Sequence, residues 1–161
     1  MTDIVVDLAD MRFSQSPREV LRAPSLGACI GLALYDPRAK VGGLAVCVLP
    51  CADPTRQTEA GDSPILYTDL AIPRLLEQAV DKGIEVETAK LVLAGGGQLP
   101  GLTGAFDLGR GNRVKALEVL DHYGLKPALE SLGGGLNRSL SLEMRTGTIR
   151  VTCGGKEVAA L

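Results

Sequence analysis

Residues 30–49 read IGLALYDPRAKVGGLAVCVL, and this stretch decides the fold. It contains two apolar runs, at 30–35 and 43–49, separated by a segment that begins with Asp36 and Pro37. Aspartate and proline favour turns, and apolar runs on both sides of a turn are typical of a β-hairpin. We therefore predict two paired strands, joined by a loop of medium length, within the fold.

Six further segments outside this hairpin have the character of strands. Each is short and either mostly apolar or alternating in polarity, as strands are. The chain after the first of them is polar around Ser14 and Pro17, and we interpret it as a connection. The predicted strands are 4–8, 20–26, 91–94, 128–132, 139–145 and 148–152.

Two segments place apolar residues at helical spacing. The first begins near Thr68, with Pro73 close to its start, and is ended by Gly83; the second is capped by Asn112 and closed by Gly124, following the usual start and stop signals. The predicted inward faces are Ile72, Leu75, Leu76, Ala79 and Val80 for the first helix, and Val114, Leu117 and Leu120 for the second.

These elements predict an α+β fold in which two packed β-sheet layers are flanked by two main helices. The chain of 161 residues has the length of one domain, which we place at 1–161, and a chain of this size buries about two-thirds of its unfolded surface. The segment 51–64 is polar and rich in breakers, so we predict a mobile surface loop there.

Composition argues against several kinds of partner. The net charge of −2 supplies no basic face for a phosphate backbone, so we expect no nucleic-acid binding. No apolar run approaches the roughly 20 residues of a membrane span, and the N-terminus has no leader pattern, so we expect a cytoplasmic protein without membrane insertion.

The pattern of metal-binding residue types predicts neither a metal nor a cofactor. The only histidine, His122, is distant in sequence from the cysteines, which form no CxxC pair, so zinc and disulfide frameworks are not expected. The glycines at 95–97 lack both the GxGxxG spacing and a P-loop lysine, so we interpret them as turn residues rather than as a phosphate cradle. The four cysteines are Cys29, Cys47, Cys51 and Cys153.

Six segments, taken in order, resemble the CheD family of chemoreceptor glutamine deamidases. The first is LGACIGL at 26–32, followed by Tyr35-Asp36-Pro37, which is similar to the family segment that carries the nucleophilic cysteine. The second is VGGLA at 41–45, followed by Leu49-Pro50. The others lie at 67–72, 90–97, 109–112 and 133–151, and the resemblance as a whole covers roughly residues 4–152.

The resemblance implies a fold, a reaction and partners. The fold is that of CheD proteins, related to toxin-type cysteine deamidases. The reaction is hydrolysis of a receptor glutamine side-chain amide to glutamate and ammonia, with a cysteine, here Cys29, as nucleophile. The implied partners are the cytoplasmic helices of a chemoreceptor and a CheC-type phosphatase, which can occupy the same surface.

Two positions depart from the family pattern. The family's base is a histidine located 17 positions after the cysteine, where this chain has Val46, and its active-site threonine corresponds to Ala23. Valine cannot accept a proton, and an ordinary thiol with a pKa of about 8.5 is only a few per cent ionised at pH 7. Because a positioned base is worth about 10²–10⁴ in rate, we predict that deamidation is very slow or absent.

An alternative remains open at this stage, namely an active deamidase that uses Cys29 with an unrecognised base. Cys47 is a poor replacement because adjacent strand residues point to opposite faces, and His122 is expected to be a surface residue at the end of the second helix. The other candidates for this base are Asp36 and Lys40, which are near Cys29 in sequence, and Asp53, Glu59 and Asp62, which lie in the 51–64 loop.

Overall fold

The computed structural model describes residues 1–52, 63–98, 101 and 107–161. In this part of the chain two sheets of five strands each are accompanied by two α-helices and one 3-10 turn, Pro64–Leu66. The predicted α+β class is confirmed. The loop predicted at 51–64, including Asp53, Glu59 and Asp62, falls largely outside the described residues.

The first sheet has the order β1-β3-β8-β9-β10, in which β1 pairs with β3 in parallel and the other pairs are antiparallel. The predicted strand at 4–8 begins and ends earlier in the structure, and the last strand is one that the sequence did not predict. The bounds, in sheet order, are Thr2–Val5 (β1), Glu19–Leu26 (β3), Arg138–Glu143 (β8), Thr148–Cys153 (β9) and Lys156–Ala160 (β10).

The second sheet has the order β2-β5-β4-β6-β7 and contains the predicted hairpin at its centre. β4 pairs with β5 antiparallel from Ile30 opposite Cys47 to Asp36 opposite Val41, so the hairpin is confirmed with a shorter loop than predicted. The bounds are Asp10–Ser14 (β2), Val41–Cys47 (β5), Ile30–Asp36 (β4), Lys90–Gly95 (β6) and Leu129–Leu132 (β7).

Helix α1 spans Thr68–Asp81, close to the prediction. Its predicted inward residues are buried except Val80, which is 58% exposed. Helix α2 spans Leu108–His122 and begins earlier than predicted, because Asp107 rather than Asn112 caps it by accepting a hydrogen bond from the Arg110 amide. The buried stripe of α2 therefore includes Ala116 and Leu120, and the prediction that Val114 faces inward is wrong.

Two apolar layers hold these elements together. One lies between the two sheets and contains Leu21, Leu44, Val92, Leu140 and Val151 among others. The second lies between the hairpin sheet and the helices, where Leu32 and Leu93 meet Leu75 and Leu120. The order of layers is therefore sheet, sheet, helices, with both helices on one side.

Candidate functional site

A cavity of about 460 Å³ opens at one end of the inter-sheet layer. It lies where β3, the loop before β4, the end of β5 and the first residue of α2 come together. Its lining is mostly apolar, and among the described residues that line it only Asp7, Ser25 and Cys29 have acidic, hydroxyl or thiol side chains. The lining residues are Val6, Asp7, Leu8, Ala23, Pro24, Ser25, Gly27, Ala28, Cys29, Val46, Val48 and Leu108.

The structure brings Cys29, Val46 and Ala23 onto this one cavity. Val46 lies opposite Gly31 in the β4–β5 pair, so Cys29, two residues earlier, is its diagonal neighbour across the hairpin. Diagonal neighbours are about 7–8 Å apart, within the reach of a long side chain. A spacing of 17 positions in sequence thus becomes a short distance in space.

The backbone of the Cys29 loop is held by the glycines that follow β6. The amide of Gly96 donates to the carbonyl of Cys29 at 2.8 Å, and the amide of Gly97 donates to the carbonyl of Gly27 at 2.8 Å. Gly95 has a φ of +108°, and a Cβ there would lie 2.1 Å from the Cys29 carbonyl oxygen. The predicted role of these glycines in tight turns is consistent with this close approach.

Asn112 fastens the same loop from the helical side. This fully buried side chain donates through Nδ2 to the carbonyl of Ala28 at 2.9 Å and to the carbonyl of Val48 at 2.8 Å. Its Oδ1 accepts from the hydroxyl of Thr68, at the start of α1, at 3.2 Å. Because every polar group of the amide is engaged, the cysteine loop, the end of β5 and both helices are held in one arrangement.

The environment of Cys29 favours the neutral thiol. Partial burial raises the pKa of Cys29, and a hydrogen bond with its own backbone only partly opposes this. Burial in an apolar setting disfavours any charged form, because the protein cannot replace the water that solvates the charge. At neutral pH the sulfur is therefore predominantly a thiol, which is a weak nucleophile.

Comparison with known proteins identifies the family. The family model described as "CheD chemotactic sensory transduction" matches residues 48–153. The chain belongs to the CheD family. A relative from Solibacter usitatus, named "Probable chemoreceptor glutamine deamidase CheD", is 34% identical over 159 residues, covering 98% of this chain and 92% of the relative. A relative from Anaeromyxobacter dehalogenans, named "Probable chemoreceptor glutamine deamidase CheD 2", is 32% identical over 161 residues and the full length of both chains.

Other side chains near Cys29 in the sequence of this CheD family member face elsewhere. Cys47 packs with Ile65 and Ala71 on the helical side of the sheet, whereas Val46 faces the inter-sheet layer. Burial raises the pKa of Cys47 to about 12, with a smaller opposing effect from the Thr68 hydroxyl. Cys47 therefore does not present a base to this cavity.

Asp36, Lys40 and His122 are also remote from the cavity. Asp36 is at the far end of β4, about 20 Å along the strand from Cys29, where its carboxylate accepts from the amides of Arg38 and Glu85 at 2.8 and 3.0 Å. Lys40 is exposed in the adjoining turn. His122 is exposed at the end of α2, as predicted, and lines a different cavity.

Asp7 is the one acidic residue in the described lining of the cavity, and the sequence analysis does not single it out. It follows β1, whose parallel pairing with β3 carries it towards the start of the Cys29 loop. Parallel pairing of strands that are separated in sequence leaves no local sequence pattern from which the position of Asp7 could be predicted. Its side chain is exposed at the edge of the cavity.

Neither a metal centre nor a membrane span is found in the described part of the chain. Within residues 1–52, 63–98, 101 and 107–161, no three His, Cys, Asp or Glu side chains are placed to hold an ion together. Neither α1 nor α2 combines the length and apolar character needed to span a bilayer.

Proposed function

We propose that this CheD family member binds the cytoplasmic helices of a chemoreceptor, and that its Cys29 deamidates receptor glutamine very slowly or not at all. One observation carries the proposal. Cys29 opens into an apolar cavity in which the family's base position is Val46, only 2% exposed, and the family's threonine position is Ala23.

The chemistry explains why this arrangement is unfavourable for turnover. The sulfur of Cys29 must attack the amide carbon, the C–N bond must break with ammonia taking up a proton, and water must then cleave the thioester to glutamate and regenerate the thiol. Each step moves a proton that a positioned base would accept or return. With Val46 at the position of the family's histidine, the thiol stays protonated and ammonia leaves poorly.

Binding does not need that base. The cavity is lined by apolar side chains, and Leu8 and Leu108 at its edge are 58% and 36% exposed. An amphipathic helix buries its apolar face in such a setting. A CheC-type phosphatase is proposed as a second partner for the same surface, in competition with the receptor.

The test combines binding with turnover on a purified receptor cytoplasmic fragment that contains the glutamines. We expect the natural chain and Cys29→Ala to bind it with similar affinity, and ammonia release to be no faster with the natural chain than with Cys29→Ala. Absence of binding by both chains contradicts the receptor function. Ammonia release that is robust with the natural chain and lost in Cys29→Ala contradicts the catalytic part.

The alternative function is an active glutamine deamidase that uses Cys29 with an unrecognised base. The observation in its favour is that Asp7 lines the cavity with Cys29. This alternative predicts that ammonia release is measurable and is abolished both by Cys29→Ala and by Asp7→Asn. We favour the impaired form because a carboxylate has no positive charge with which to stabilise a thiolate, whereas the family's histidine can stabilise a thiolate as an imidazolium.

A further inference from the structure

A second surface, remote from Cys29, lies on the helical layer. A groove of about 370 Å³ runs between the C-terminal half of α1, the chain that follows α1 and the segment that follows α2. A neighbouring cavity of about 500 Å³ shares Pro73 and Tyr123 with it. The apolar residues of the groove are Pro73, Leu76, Val80, Val86, Tyr123 and Leu125.

Two apolar side chains of this groove are left open to solvent. Val80 is 58% exposed and Tyr123 is 48% exposed, although the helical periodicity predicts that Val80 faces inward. Single exposed apolar residues are ordinary on protein surfaces. Here they border a concave, continuous groove, which is the form that a helix-binding surface takes.

The rim of the groove and its neighbouring cavity is strongly acidic. Among the described residues, six carboxylates line the two cavities, and the only formal positive charge in that lining is Lys115, which pairs with Glu118 at 3.2 Å. With His122 neutral, the lining has a formal charge of −5, in a chain whose net charge is −2. The lysines next in sequence, Lys82 and Lys126, line neither cavity. The six carboxylates belong to Asp69, Glu77, Asp81, Glu87, Glu118 and Asp121.

We propose that this groove binds a basic amphipathic helix of a partner protein. The apolar face of that helix would pack on Val80 and Tyr123, and its lysines or arginines would face the carboxylates of the rim. Complementary charge accelerates association and excludes partners of the wrong sign. A second copy of this chain is a poor occupant, because a symmetric dimer would bring two copies of the same acidic patch together.

The groove is separate from the Cys29 cavity. Leu108 at the start of α2 lines the cavity, whereas Tyr123, just after its end, lines the groove. A helix of this length spans about 22 Å. A partner in the groove and a receptor helix at Cys29 could therefore be bound together, so failure of the receptor function would leave this inference intact.

The probe is an 18-residue, fluorescein-labelled peptide of leucine and lysine, with leucines at helical i, i+3, i+4 spacing. The control is a peptide of the same composition in which that spacing is scrambled. Fluorescence anisotropy with the full chain is measured at about 50 and 300 mM NaCl. We expect the amphipathic peptide to bind at least tenfold more tightly than the scrambled one, and more weakly at high salt.

Matched variants locate the binding site. The double variant Asp81→Lys/Glu87→Lys changes two exposed rim carboxylates, and Glu130→Lys/Glu157→Lys makes the same charge change at exposed positions that line neither cavity. We expect the first to weaken binding at least tenfold and the second less than threefold. Val80→Ser should also weaken binding without changing the charge.

Three results would overturn the proposal. The first is equal affinity for the two peptides, and the second is equal loss of affinity in the rim and control variants, since both indicate attraction to net charge alone. The third is a concentration-dependent dimer in sedimentation equilibrium that Asp81→Lys/Glu87→Lys alters, because a second copy would then be the occupant.

Discussion

Placing a histidine at position 46 is the sharpest test of how the cavity controls Cys29. Val46 lines the cavity and lies opposite Gly31, and the side chains of Leu26 and Leu140 fill the space beside that glycine. An imidazole there reaches towards Cys29, the diagonal neighbour of this position across the hairpin. We expect the single variant Val46→His, and more fully Val46→His/Ala23→Thr, to lower the pKa of Cys29.

The expected magnitude follows from the protonation of the thiol. An ordinary thiol with a pKa of about 8.5 is about 3% ionised at pH 7, and burial leaves Cys29 below that fraction. Pairing with an imidazolium lowers thiol pKa values to about 3.5–7.5. If the pKa falls from about 8.5 to about 6.5, the thiolate fraction at pH 7 rises roughly 25-fold, but the intrinsic nucleophilicity of the thiolate falls about 6- to 10-fold, so alkylation accelerates only about two- to fourfold.

The position of the pH profile is therefore a better readout than the rate at one pH. The alkylation rate of Cys29 by iodoacetamide is measured from pH 5 to pH 10 by mass spectrometry of the folded chain. Burial disfavours the charged thiolate and so raises the pKa of Cys29, which puts the midpoint of the alkylation profile of the natural chain above that of an ordinary thiol. We expect Val46→His to move that midpoint down by at least one pH unit.

Ammonia release from the receptor fragment supplies the second readout. A positioned base contributes about 10²–10⁴ in rate, so Val46→His/Ala23→Thr should exceed the natural chain by about that factor. The matched control is Val46→Asn, which places a polar group without a proton-accepting nitrogen at the same position. The reasoning is refuted if the natural chain already has a midpoint below that of a free thiol, or if folded Val46→His leaves the midpoint where it was.

Three further outcomes test the packing around Cys29. In the folded natural chain, iodoacetamide should modify Cys29 slowly and Cys47 not at all, because burial raises the pKa of Cys47 to about 12; peptide mapping that shows Cys47 labelled first contradicts the assigned burial. Asn112→Ala should lower the free energy of unfolding by about 2–4 kcal/mol in urea titration, since two partly buried carbonyls and the Thr68 hydroxyl lose their partner, and a loss below about 1 kcal/mol would contradict the role of Asn112 in holding the Cys29 loop. Gly95→Ala should cost about 2–5 kcal/mol through backbone strain and overlap with the Cys29 carbonyl, against about 1–2 kcal/mol for Gly83→Ala, whose φ is also positive but whose surroundings are open; equal costs would contradict the close approach.

Those parts of the fold with a local signal could be predicted from the sequence. The hairpin at 30–49 has two long apolar runs and a turn, and the helix at 68–81 has a regular apolar stripe that ends at Gly83. Both elements are confirmed. Strands β2 and β10 were missed because Asp10–Ser14 and Lys156–Ala160 are short, contain charged residues and lie at sheet edges.

The start of α2 shows how tertiary packing overrides propensity. Gly109 and Gly111 disfavour a helix, so the sequence predicts its start only at Asn112. In the structure a Cβ on Gly109 would lie 1.9 Å from the Gly97 carbonyl oxygen, and one on Gly111 would lie 2.8 Å from the side chain of Pro50. The helix begins early because these glycines allow the backbone to approach its neighbours, which brings Asn112 into the interior to hold the Cys29 loop.

The candidate site was predictable only as a set of positions. The resemblance to the CheD family supplied Cys29, Val46 and Ala23, and the hairpin register explains why the first two are neighbours. The other residues that line the cavity could not be predicted from local sequence patterns. Asp7 reaches the cavity because β1 pairs in parallel with β3, and Leu108 reaches it because α2 begins early.

The packing of Val46 also stabilises the fold. Val46 belongs to the inter-sheet layer and is 2% exposed, so its burial contributes about 1.5–3 kcal/mol relative to an exposed side chain. A histidine at this position would place a polar, titratable ring against that layer and forfeit part of this contribution. Catalytic sites commonly sacrifice stability in this way. Val46→His should therefore lower the urea midpoint of unfolding while it activates Cys29, and a variant that gains reactivity with no loss of stability would show that position 46 is not packed as described.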